Sequence, residues 1–241
     1  MPLKAVLFDM DGVIVDTEPL HRKAYFRMFD DLEIAVSEEL YTSFTGASTK
    51  KVCNTLIEKF HLSQSHDQLA IIKRKYFKDY FYNDADFNLL PGVKNLIQNY
   101  FENNIKLVLA SSASMTTIDM VFEKFDLVKY FIGKISGDEL KESKPNPEIF
   151  LIAAKMAHEP KENCMVIEDS TNGIIAAHYA EIFCTAYKSE HSVGQNYEKA
   201  NLVISDFSEI EFDKIEKHFK VLRTKRSSKV FIEVSFEKNR G

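Results

Sequence analysis

The chain of 241 residues has no tryptophan and only three cysteines. Cys53, Cys164 and Cys184 stand far apart, so they form neither a paired metal-binding motif nor an even-numbered disulfide set, and they read as core residues. No run of eighteen apolar residues occurs, the length a membrane-spanning helix needs. The opening Met-Pro-Leu-Lys leads at once into a strand-like run, without the charged region and apolar core of a secretory signal, so a cytoplasmic protein is expected. Positive charge is in short supply: 31 Lys and Arg stand against 36 Asp and Glu, a net charge of −5 with the signs interspersed. That balance argues against a nucleic-acid partner and offers no broad basic face to a membrane. Neither an internal repeat nor a low-complexity run is present.

What the chain does have is an apolar fraction of 45% and enough length for a sizeable core plus a smaller inserted domain. Short β-prone apolar runs recur at residues 5–8, 105–110, 131–136, 164–167, 183–187 and 201–204, with helical patterns between the later ones. Such alternation predicts an α/β fold, a doubly wound, Rossmann-like parallel sheet. Between Pro19 and Asn83 the pattern is helical instead, with apolar residues three and four apart and almost no glycine or proline. Four helices are expected, near 20–32, 37–44, 48–60 and 65–82, with Ser37, Ser48 and Ser65 as N-caps of the last three. The expected division is a core of residues 1–17 and 86–219, a helical insertion of residues 18–85 and a basic tail of residues 220–241. That tail holds seven Lys and Arg against two Glu, leaving −10 on the rest, and Val230–Phe236 alternates like a strand.

Chemistry concentrates where apolar runs end. Asp9 and Asp11 follow the run Ala5–Phe8, one residue apart, with Gly12 allowing a sharp turn behind them. Ligand crevices of parallel sheets lie at strand C-termini. The pair suits a nucleophile (Asp9) and a general acid/base (Asp11); a polar turn is the plain alternative, and a calcium loop would need glycine at its sixth position and flanking helices. Ser111 and Ser112 follow the run 105–110 and precede a helix, where hydroxyls and free amides would hold a phosphate or simply cap the helix. Glu168 and Asp169 end the run 164–167, as oxygen ligands for magnesium or as an acidic cap. Gly46 and Ser48, in the one glycine-bearing stretch of the insertion, open a helix that could face substrate.

These stations, Asp9-Met-Asp11-Gly12, Ser111, Lys144-Pro-Asn-Pro and Glu168-Asp169, stand in the order of a known family. The chain resembles the haloacid dehalogenase-like phosphatases and mutases, in the branch that contains β-phosphoglucomutase, over residues 1 to about 218. The resemblance implies a helical cap hinged near Thr17 and near 84–89, with Lys144 as the cation that offsets phosphate charge. It implies magnesium held by Asp9, the Asp11 carbonyl and Asp169, with Glu168 as a further ligand or supporting group, and His21, in Thr17-Glu-Pro-Leu-His21, coupling cap closure to Asp11. The expected activity is magnesium-dependent phosphatase action on a small phosphorylated metabolite, a sugar phosphate, through an aspartyl-phosphate, by a monomer. β-Phosphoglucomutase action and non-catalytic binding of phosphorylated ligands are the alternatives. In the mutase pattern a lysine precedes the cap glycine and an arginine follows it by three; here those positions are Thr45 and Thr49.

Overall fold

The computed structural model describes residues 2–44, 49–189, 192 and 194–219. The chain divides into two compact units, one of residues up to 16 together with those from 89 onward, the other Thr17–Asn88. The expectations for Gly46, Ser48 and the basic tail fall outside the described residues.

The first unit is built on six parallel strands: β1 (Ala5–Phe8), β2 (Lys106–Ser111), β3 (Phe131–Ser136), β4 (Cys164–Glu168), β5 (Phe183–Tyr187) and β6 (Leu202–Ile204). Their order is β3-β2-β1-β4-β5-β6, so the chain starts at the sheet's centre and winds outward both ways. All four residues of β1 are buried, the mark of a strand covered on both faces. Its alternation divides them. Ala5 and Leu7 join the cluster formed with α7 (Glu148–Met156) and α8 (Thr171–Tyr179). Phe8 packs edge-on to Tyr100 of α5 (Val93–Glu102) and to Phe131, which in turn meets Phe122 of α6 (Met115–Lys124). Fully burying a side chain such as Phe8 contributes about 1.5–3 kcal/mol. Residues 212–219 close this unit as a helix.

Register sets the level of the site. Phe8 pairs with Leu109 on one side and Ile167 on the other, so Asp9, Ser111 and Glu168 leave the sheet at nearly one height. The Asp9 amide still bonds the Ile167 carbonyl at 3.0 Å, although the strand has ended at Phe8.

The second unit holds α1 (Glu18–Asp31), α2 (Glu38–Thr42), α3 (Thr49–Phe60) and α4 (His66–Asn83). Helix α1 starts two residues earlier than expected because Pro19, with its fixed φ and missing donor, fits the first turn. Ser37 and Ser65 cap α2 and α4 as expected, and Gln68 completes a capping box at α4. Tyr25, Met28, Phe29, Val52, Cys53, Leu56, Leu69 and Ala70 form this unit's core. No helix among the described residues is long and apolar enough to cross a membrane.

Candidate active site

Four side chains converge at the C-terminal ends of β1 and β4. The Lys144 ammonium donates to Asp9 Oδ1 at 2.5 Å, to Glu168 Oε1 at 2.7 Å and to the Ala110 carbonyl at 3.0 Å, and it lies 4.9 Å from the centre of the Phe150 ring. Lys144, Asp9 and Glu168 are all buried at their charged ends. Asp9, Glu168 and Asp169 each offer a carboxylate oxygen, and these oxygens lie within 4.8 Å of one another.

Such crowding shifts the titration of every member. Burial raises Asp9 well above the usual carboxylate range; Lys144 works against this, while Glu168 and Asp169 add to it. Asp169 is pushed up to about 7, first by burial and then by Glu168. Burial alone would pull Lys144 down, but Asp9 and Glu168 outweigh it and hold the amine protonated. With all three carboxylates ionised, one ammonium leaves two negative charges, which a single divalent cation would balance. An all-oxygen set of this kind fits magnesium, which accepts a few carboxylates and keeps several waters. The residues present therefore fit the metal.

Two glycines make the crowding possible. A Cβ on Gly12, where φ is +82°, would stand 2.2 Å from Asp169 Oδ2; one on Gly173 would stand 1.7 Å from Glu168 Oε1. The sequence signal at Gly12 was a turn, whereas the structure adds a close approach by Asp169.

The plain capping alternatives are taken by other residues. The cap of α6 is Ser114, whose hydroxyl accepts from the Thr117 amide, so neither Ser111 nor Ser112 is needed for it. Ser111 is buried and accepts from the Ala113 amide at 3.1 Å, while Ser112 is exposed. At α8 the cap is Ser170, not Asp169. Glu168 anchors that turn: its Oε2 accepts from the amides of Asp169 and Ser170 and from the Ser170 hydroxyl, each at 3.0 Å.

Asp11 departs from the simplest picture of two carboxylates facing one small volume. It is half-buried, sits in a bridge to Val15 beyond the strand, and is not in the three-acid group, although its charge raises Asp169. The physical reason is that β1 ends at Phe8, so strict two-residue alternation no longer governs Asp11.

In the helical unit Thr17 is buried and His21 is half-buried. The His21 ring stacks on Phe77 with centroids 4.4 Å apart, and its Nδ1 lies 2.6 Å from the Lys73 amine. Burial, then Lys73, lowers His21 to about 3, while burial lowers Lys73 to about 8. The imidazole is thus neutral, and because an ammonium can only donate, Nδ1 accepts and Nε2 carries the proton. Lys73 escaped the sequence reading. Its signal was a cation on the buried stripe Leu69, Lys73, Phe77, Phe81, spaced four apart. Lys50 and Arg74 line an open groove of about 390 Å³ in the same unit, with Thr49, His66 and Ile71.

Comparison with known proteins places this arrangement in context. A model of the haloacid dehalogenase-like hydrolases matches residues 3–181. The chain is 32% identical over 180 residues to the phosphorylated carbohydrates phosphatase of Thermotoga maritima, covering 75% of this chain and 82% of that protein. It is 26% identical over 230 residues to the β-phosphoglucomutase of Bacillus subtilis, covering 93% and 99% respectively. The crystal structure of β-phosphoglucomutase from Clostridium difficile superposes with a TM-score of 0.71 at 27% identity, over 92% of this chain and 99% of that one.

Proposed function

The chain belongs to the haloacid dehalogenase-like hydrolase family and is an enzyme, and from that premise we propose that it is a magnesium-dependent phosphatase of a small phosphorylated metabolite, a sugar phosphate. The observation that carries this reading is the Asp9 carboxylate at a strand end, bound on one oxygen by buried Lys144 and within reach of two further acids.

Asp9 is the nucleophile. Lys144 occupies its Oδ1, which leaves Oδ2 to attack phosphorus; the new Oδ2–P bond forms as the bond from phosphorus to the sugar oxygen breaks. Asp11 gives its proton to the departing oxygen and then takes one from the water that attacks the phosphoaspartyl phosphorus, freeing Asp9 and releasing phosphate. A phosphate approaching a carboxylate is repelled by about 4 kcal/mol per unit charge pair at about 4 Å in a partly screened site. Lys144 offsets part of this. The Ser111 hydroxyl donates to a phosphoryl oxygen as the transferring group moves. Magnesium, held by Asp9, Asp169 and the Asp11 carbonyl, would supply further positive charge to the phosphoryl group. Glu168, occupied by Lys144 on one oxygen and by its own turn on the other, chiefly positions Lys144 and Asp169.

Phosphatase action is favoured over mutase action because Thr45 and Thr49 stand where the mutase pattern has a lysine and an arginine. A mutase must grip the phosphate that is not reacting while its bisphosphorylated intermediate turns round. Lys50, Arg74 and the His21–Lys73 pair are cations and polar groups of the helical unit that support this second reading, as does the Bacillus subtilis relative. The separating experiment supplies magnesium, β-glucose 1-phosphate and a trace of β-glucose 1,6-bisphosphate and follows glucose 6-phosphate against free phosphate. Phosphate release without isomerisation is expected; isomerisation far outrunning phosphate release would establish the mutase instead.

A further inference from the structure

The turn that presents Asp169 is fastened from outside by the stretch that follows β5. Thr171 occupies the first position of α8, two residues past Asp169, and its amide is one of the donors a helix start leaves without an intrahelical partner. The Gln195 side-chain oxygen accepts from that amide at 2.7 Å and from the Thr171 hydroxyl at 2.8 Å. Thr171 Oγ1 in turn accepts from the Asn196 amide at 2.8 Å, so the two segments are joined by three hydrogen bonds. Three residues before Gln195, the Ser192 hydroxyl comes within 3.4 Å of Asp169 Oδ2. Ser192 is itself held by Ser189 at 2.9 Å and, through its carbonyl, by the Tyr197 hydroxyl at 3.4 Å. Asp169 also lies against Gly12, with no room for a side chain there. The carboxylate is therefore in contact with both the turn after β1 and Ser192.

We propose that Gln195 and Thr171 form a positioning clamp for Asp169, holding its carboxylate in the orientation that receives the divalent cation. The inference rests on the proposed role of Asp169 as a metal ligand. A helix cap that merely stabilised α8 would need one acceptor for the Thr171 amide. The reciprocal bond through Thr171 Oγ1 and the placing of Ser192 against Asp169 go beyond that need. Groups that orient a metal ligand typically govern about 10–100-fold in affinity. Gln195 acts at one remove, through the turn, so the lower end applies, roughly tenfold.

The test measures Mn²⁺ binding to the folded protein by the loss of the free-ion electron paramagnetic resonance signal, beside thermal melting and the magnesium dependence of turnover. Gln195→Ala and Thr171→Val should each weaken Mn²⁺ binding roughly tenfold and raise the magnesium needed for half-maximal rate by the same factor, with kcat at saturating magnesium changed far less. Thr171→Ser keeps both hydrogen bonds of the side chain and should restore wild-type binding. Lower melting temperatures with Mn²⁺ affinity within twofold of wild type would overturn the clamp and leave a structural cap. Should Gln195→Ala fail to fold, the contrast between Thr171→Val and Thr171→Ser decides alone. Asp169→Asn separates this inference from its premise: wild-type Mn²⁺ binding in that variant would remove Asp169 as a ligand. Lost binding there, with Gln195→Ala and Thr171→Val unaffected, would refute the clamp alone.

Discussion

Replacing Lys144 by methionine should destabilise the first unit. The ammonium is buried and makes three hydrogen bonds, two of them to carboxylates. Without it, Asp9, Glu168 and Asp169 keep oxygens within 4.8 Å of one another and have no cation in the metal-free protein. Two like charges at that separation repel by roughly 3.5 kcal/mol in a partly screened site. Removing one partner of a buried ion pair costs about 3–5 kcal/mol in other proteins. At about 2–4 °C per kcal/mol for a protein of this size, the variant should melt roughly 6–20 °C below wild type in EDTA. Saturating magnesium should raise the variant's melting temperature more than the wild type's, because the ion supplies the charge that the lysine no longer does. Phosphate release should nonetheless stay strongly impaired. The assay is differential scanning fluorimetry of both proteins in EDTA and across a magnesium titration. A variant that melts within a degree or two of wild type in EDTA would refute the reasoning, since without the ammonium these buried carboxylates either repel one another or must take up protons, and each carries a cost.

Lys73→Met tests the buried amine of the helical unit. The folded-state value near 8 lies below the ordinary 10.5, so between those limits the unfolded chain holds more protons and wild-type stability rises with pH. Below about pH 8 the burial penalty is present in full, and Lys73→Met should be more stable than wild type there by up to about 3 kcal/mol, with the advantage vanishing towards pH 10.5; urea melts at several pH values check this, and a difference independent of pH would contradict it. Gly12→Ala should disable metal binding with little effect on Lys144, because its Cβ would drive Asp169 aside; calorimetric titration with magnesium showing wild-type affinity would rule that out. Asp11→Asn should lower kcat by about 10²–10⁴ through lost proton transfer while Mn²⁺ still binds, and unchanged kcat would remove it from the acid/base role.

Much of this was legible in the chain because the relevant signals are local. β1, β2 and β4 carry apolar runs that are buried along nearly their whole length, and a strand buried on both faces reads as part of a parallel sheet once helices lie between. Asp9, Ser111 and Glu168 were visible as polar residues following such runs, which is where a parallel sheet opens. What local pattern could not give was the pairing across 135 and 24 residues that brings Lys144 onto Asp9 and Glu168; there the family likeness supplied the link. Nor could it separate Asp169 from Ser170 as the cap of α8, since either side chain suits that position. Gln195 was invisible, because its partner Thr171 is 24 residues away and an isolated glutamine in a polar stretch carries no signal of its own. The offset of Asp11 from the acid cluster had a different cause. The alternation argument assumed an extended chain, and the strand stops one residue before Asp9.

The central claim is that Asp9 carries the phosphoryl group during hydrolysis of small phosphorylated metabolites. The most direct measurement is phosphate release from a panel of sugar phosphates and p-nitrophenyl phosphate, with and without magnesium, by wild type and by Asp9→Asn. Both proteins must first be shown folded by matching circular dichroism. The account predicts magnesium-dependent release by wild type from one or more sugar phosphates and none above background by Asp9→Asn, whose amide is a far weaker nucleophile than the carboxylate it replaces. Full activity in Asp9→Asn, or no release from any substrate by folded, magnesium-loaded wild type, would contradict it.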